Sequence, residues 1–107
     1  MYTKLYPDEI SSRTNGTSLS GNIYTTYSEL VKLFGEPTYH WPSDDGEVQK
    51  EWVFEDEDKN VFNIYDWKTY DWKYTMYKNE KWNVGSKGSP TDFILWVEER
   101  LRGVTNV

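Results

Sequence analysis

The 107-residue sequence contains no cysteine, no alanine and a single histidine. The lack of cysteine excludes a disulfide framework and a thiolate zinc site. It also removes the commonest staple of small secreted domains. No stretch approaches the roughly 18 apolar residues that span a bilayer, so no membrane contact is expected. The opening Met1-Tyr2-Thr3-Lys4-Leu5 carries no apolar run of the signal-peptide kind. The expected location is therefore cytoplasmic, and Asn15-Gly16-Thr17 reads as a turn rather than a glycosylation site. Positive charge is scarce too: the net charge of −6 argues against a protein that coats nucleic acid through its phosphates.

What the chain has in quantity is aromatic residues: six Trp, nine Tyr and four Phe. The length is that of one domain. Each ring can bury about 150–250 Å², so a few supply most of a small core and the surplus is expected at the surface or an interface. Charge is unevenly spread. Residues 44–58 hold eight acids against Lys50, whereas residues 66–87 hold five lysines against Asp66, Asp71 and Glu80.

Residues 1–15 read as a polar arm rich in turn formers, 16–103 as the domain and 104–107 as a tail. Thr17 to Tyr24 reads as a strand packed through Leu19, Ile23 and Tyr24, with Gly21 at a bulge. Thr26-Tyr27-Ser28-Glu29 fits a capping box, followed by Leu30, Val31 and Phe34 at helical spacing. Gly35 and Pro37 close that helix. Gln49–Glu55 and Asn60–Trp67 alternate as a hairpin whose core face carries Trp52, Phe54, Phe62 and Ile64. The other face is expected to show Val53, Tyr65 and Trp67 to solvent or a partner. Lys81–Gly85 reads as a strand with Trp82 and Val84 inward. Ser89 as N-cap and Pro90 at the first position open a final helix with Phe93, Ile94, Val97 and Leu101 inward, ended by Gly103. The order β-α-β-β-β-α predicts an α+β fold, a small antiparallel sheet of about four strands with two short helices on one face.

Chemistry-bearing patterns are few. His40, near Asp44 and Asp45, could act as a base with an orienting acid. One histidine in a loop has little specificity, no activated nucleophile accompanies it, and the incidental reading comes first. Asp56, Asp58 and Asn60 alternate like calcium ligands, but Val61 stands where glycine is needed and no Glu closes the loop. No metal, cofactor or catalytic residue is expected. Two segments invite a binding role. Tyr65, Trp67, Tyr70, Trp72 and Tyr74, interleaved with Lys68 and Lys73, suit protein recognition or the stacking of bases. Glu55, Asp56, Glu57 and Asp58 on the hairpin offer an acidic contact for a basic partner groove.

Several short motifs occur in order: Gly16-Thr17-Ser18-Leu19-Ser20-Gly21, Thr25-Thr26-Tyr27, Leu30-Val31-Lys32-Leu33-Phe34-Gly35-Glu36-Pro37, Glu51-Trp52, Ile64-Tyr65-Asp66-Trp67-Lys68 and Trp82-Asn83-Val84-Gly85. Together they resemble a family of small proteins of tailed bacteriophages and some large DNA viruses, over about residues 16–101. The family pattern places a His and two glycines after the late Trp, where this chain has Asn83, Val84, Gly85 and Ser86. The resemblance implies a viral origin and an intracellular accessory role, and no reaction. The expected function is thus non-catalytic: a small viral accessory protein that binds and modulates, by inhibition, a host or viral macromolecule in the host cytoplasm. The alternative is a module for a nucleotide or single-stranded nucleic acid, using the Trp, Tyr and Lys face.

Overall fold

The computed structural model describes residues 1–10, 17–40, 48, 50–66 and 77–105. The elements are β1 (Thr3–Lys4), the single-turn α1 (Pro7–Ile10), β2 (Ser18–Thr25), α2 (Tyr27–Phe34), β3 (Glu51–Glu55), β4 (Val61–Tyr65), β5 (Glu80–Ser86) and α3 (Thr91–Thr105). The strands form one antiparallel sheet in the order β1-β3-β4-β5-β2. The fold is α+β, as the alternation of patterns implies, with a fifth strand contributed by residues 3–4 within the expected arm.

Helix α2 begins where its capping box stands. The Glu29 amide donates to Thr26 Oγ1 at 3.0 Å, and the Thr26 amide donates back to Glu29 Oε1 at 3.3 Å. It stops at Gly35, whose φ of 76° is the left-handed conformation that glycine adopts without cost. A helix of eight residues is too short to persist alone. Leu30 is fully buried under it, and Lys4 Nζ donates to the Phe34 and Glu36 carbonyls, both at 2.8 Å, beyond its last turn. The first strand thus caps the first long helix with a cation, on the end where the macrodipole favours one. Helix α3 starts one residue later than the Ser89 and Pro90 reading implies. The Pro90 carbonyl accepts from the Ile94 amide at 2.9 Å, and Ser89 Oγ accepts from the Thr91 amide. Nor does Gly103 end it: Leu101 is buried and Val104 half-buried, and the helix runs to Thr105.

Both helices cover one face of the sheet. Trp52, Phe54, Phe62, Ile64, Trp82, Val84 and Ile23 meet Leu30, Phe93, Val97 and Leu101 there in a single cluster. Rings fill this core: Trp52 and Trp82 meet edge to face at 5.6 Å, and Phe62 stacks on Phe93 at 4.9 Å. The indole N–H groups of these two tryptophans are satisfied by carbonyls, Trp52 by Gly35 and Trp82 by Thr25, whereas the buried Trp96 Nε1 meets no acceptor among the described residues. Tyr2, from the expected arm, packs against Phe62, Phe93 and Trp96.

Two expectations about orientation are corrected. Along β2, Leu19 and Tyr24 are 62% and 65% exposed while Ile23 is buried. Neighbouring residues of a strand face opposite ways, so Ile23 and Tyr24 cannot both point inward. The register shift between Leu19 and Gly21 places Leu19 outward as well. On β3, Val53 is fully buried rather than exposed, packed with Val61, Leu5 and Tyr39. Two distant segments cause this by joining the free edge of β3. The Leu5 amide donates to the Val53 carbonyl, and Tyr39 bridges Glu51 in both directions. Thr38 Oγ1 links the segments: it donates to the Leu5 carbonyl at 2.8 Å and accepts from the Val53 amide at 3.1 Å.

Candidate binding surface on the open half of the sheet

The strand registers lay the outer face out in rows. One row runs Glu51, Tyr65, Asn83 and Asn22 across β3, β4, β5 and β2, and beside it Lys81 pairs with Tyr24. On the other side run Val53, Asn63, Gly85 and Leu19. The β3 half of the face is closed by Leu5 and Tyr39. The β2 half is open, with Leu19, Asn22, Tyr24 and Lys81 all exposed.

A polar cluster separates the halves. Asn63 Nδ2 donates to Glu51 Oε2 at 2.7 Å, and Asp66 Oδ1 accepts from the Lys50 amide at 2.6 Å. Burial pushes the Glu51 carboxyl above its ordinary pKa; the Asn63 bond opposes this and Asp66 adds to it. Burial, and then the Glu51 charge, likewise raise the Tyr39 and Tyr65 hydroxyls. A Cβ at position 85 would overlap Asn63 Oδ1, so glycine there lets the amide lie across β5. That buried oxygen meets no donor among the described residues.

The residues singled out from sequence are dispersed. Tyr65 is half-buried in the row just described. Trp67, Tyr70, Trp72 and Tyr74, with Lys68 and Lys73, lie outside the described residues. The four hairpin acids form no single row. Glu55 is half-buried and pairs with Lys59 at 3.3 Å, and Glu57 pairs with the N-terminal amine at 3.3 Å. Asp58 is exposed. Asp56 holds the turn itself: its Oδ1 accepts from the Asp58 and Asn60 amides and its Oδ2 from Asn60 Nδ2, all within 3.0 Å. Burial would raise this carboxyl, but the Asn60 and Asp58 bonds, with the N-terminal amine, hold it below the usual range. The His40 carbonyl accepts from Lys50 Nζ at 2.9 Å, and Asp44 and Asp45 lie outside the described residues. Among the described residues no group of three potential metal ligands occurs.

Of the aromatics described, Tyr6, Tyr24 and Tyr77 are the ones mostly exposed; every described Trp and Phe is buried or half-buried. The feature missed from sequence is the border strand. β2 is eight residues long, contains no charge and no proline, and ends the sheet. The opposite border, β1, is two residues long. No known family model matches the sequence, and neither does any curated protein.

Proposed function

We propose that this is a non-catalytic accessory protein that binds and modulates a protein partner by accepting one of its strands along β2. The observation that carries this reading is the open border itself. Soluble proteins blunt such edges with charge, proline or shortness. Here β1 is blunted by its shortness, whereas β2 is long, uncharged and carries exposed Leu19 and Tyr24. Backbone pairing would give affinity, and Leu19 and Tyr24 would give contact area and selectivity. The chain's net charge of −6 favours a partner that carries this neutral strand within a basic surface. Such a role agrees with the intracellular viral function that the motif resemblance implies.

The test is capture from host extract by the intact protein and by the Leu19→Ser, Tyr24→Ser double variant, followed by amide hydrogen exchange of the captured complex. The reading expects a partner retained by the parent protein, lost by the variant and weakened by salt, with β2 amides protected in the complex. A partner retained equally by both proteins, or protection confined to other strands, contradicts it.

A further inference from the structure

A cavity of about 570 Å³ opens at the hairpin end of the sheet. That volume lies within the roughly 300–1,000 Å³ of small-molecule sites. It is assembled from three separate stretches: Tyr2 beside β1, the turn between β3 and β4, and the connection from β5 into α3. The wall is fixed from within. The Asp56 carboxylate ties the turn, Ser86 Oγ donates to the Gly88 carbonyl at 2.6 Å, and Tyr2 is wedged among Phe62, Phe93 and Trp96.

The lining divides into three chemistries. Tyr2 and the rim of Phe62, on the helix side of the sheet, give a small aromatic floor. Asp92, exposed in the first turn of α3, gives a carboxylate. Lys59 and Lys87 give two ammonium groups, of which Lys59 also reaches Glu55. A ligand that uses all three carries an aromatic or apolar body, a hydroxyl pair for the carboxylate and an anion for the lysines. Vicinal hydroxyls are what an acidic side chain recognises in a ribose, and a flat base suits an aromatic floor. A phosphate with a compact charge suits lysine. One phosphate matches two ammonium groups better than a longer phosphate chain would, because Asp56 and Asp92 stand nearby and repel further negative charge.

We propose that this cavity is a mononucleotide site, with the base against Tyr2 and the rim of Phe62, the ribose hydroxyls on Asp92 and the phosphate on Lys59 and Lys87. It is independent of strand capture along β2: the two sites share no residue. The Tyr2 hydroxyl stays protonated well into alkaline solution, raised by burial and then by Asp92 and Asp56, and is available to the ligand as a donor.

The experiment is an NMR titration of the full chain with AMP, adenosine, the 2′,3′-dideoxy form of AMP and inorganic phosphate, each to about 5 mM, a range that detects millimolar dissociation constants. AMP is expected to shift amide signals of residues 59–62 and 87–92, and to bind at least fivefold tighter than adenosine or the dideoxy nucleotide. Lys87→Ala should bring AMP down to the level of adenosine. Asp92→Asn should erase the preference for ribose over dideoxyribose. Both positions are exposed, so the variants fold, and unchanged thermal unfolding verifies it. No shift with AMP, shifts confined to other residues, or inorganic phosphate binding as tightly as AMP would each overturn the assignment.

Discussion

Lys59 occupies φ 66°, a left-handed conformation that costs a residue with a Cβ about 1–2 kcal/mol. The turn demands it: the Lys59 amide donates to the Asp56 carbonyl, and the extra residue lets β3 and β4 close at Glu55 and Val61. Lys59→Gly should therefore stabilise the protein by about 0.5–1 kcal/mol in urea unfolding, since the exposed pair with Glu55 that it loses is worth little. Asp56→Ala should cost about 1–3 kcal/mol, because it leaves the Asp58 and Asn60 amides without their acceptor. The folded pKa of Asp56 is lowered, so its contribution is full above the unfolded carboxylate range and fades as pH falls through the lower folded value. The gap between Asp56→Ala and the parent protein should accordingly narrow in acid. Glu51 carries the opposite sign. Its folded pKa is raised, so the ionised group costs stability at neutral pH, and that cost disappears as pH falls below the unfolded value. Glu51→Gln keeps an acceptor for Asn63 Nδ2 and relieves the repulsion from Asp66. Its melting temperature should exceed the parent's by a few degrees at pH 7 and match it near pH 4. A variant that melts lower at pH 7 would contradict this account of the cluster.

At the scale of elements, the sheet border at β3 is closed by two short backbone segments joined through the Thr38 side chain rather than by a long strand. Thr38 stands in for a paired residue, linking the Leu5 carbonyl to the Val53 amide. Thr38→Val keeps the shape and leaves both groups buried without a partner, so a loss of about 2–4 kcal/mol is expected, with Thr38→Ser recovering most of it. This closure explains what the sequence reveals and what it hides. The capping box at Thr26 and Glu29, the glycine stop at Gly35, and the inward Trp52, Phe54, Phe62, Ile64, Trp82 and Val84 are legible because period and capping are local signals. Burial of Val53 depends on Leu5 and Thr38, far away in the chain, and no local pattern announces it. The two residues of β1 are too few for any periodicity, and the bulge in β2 reverses the facing of Leu19 through pairing with β5. Gly103 misleads because glycine at the edge of a helical pattern reads as a stop, whereas burial of Leu101 carries α3 past it. The candidate surface is less legible still. An unpaired strand border is a property of sheet order, which periodicity does not encode.

At the scale of the molecule, a core made from rings leaves chiefly tyrosines outside among the described aromatics, and the longest described strand is the one that ends the sheet. Leu19 and Tyr24 add nothing to the core, so replacing both with serine should leave stability within about 0.5 kcal/mol while abolishing partner capture. The most direct measurement places a photoreactive benzoylphenylalanine at position 24, and in a control at the exposed Glu99 of α3, and irradiates both proteins in host cells. A partner seated on β2 predicts one discrete covalent adduct from position 24 that position 99 does not yield. Absence of any adduct from position 24, or the same adducts from both, would contradict β2 as the contact.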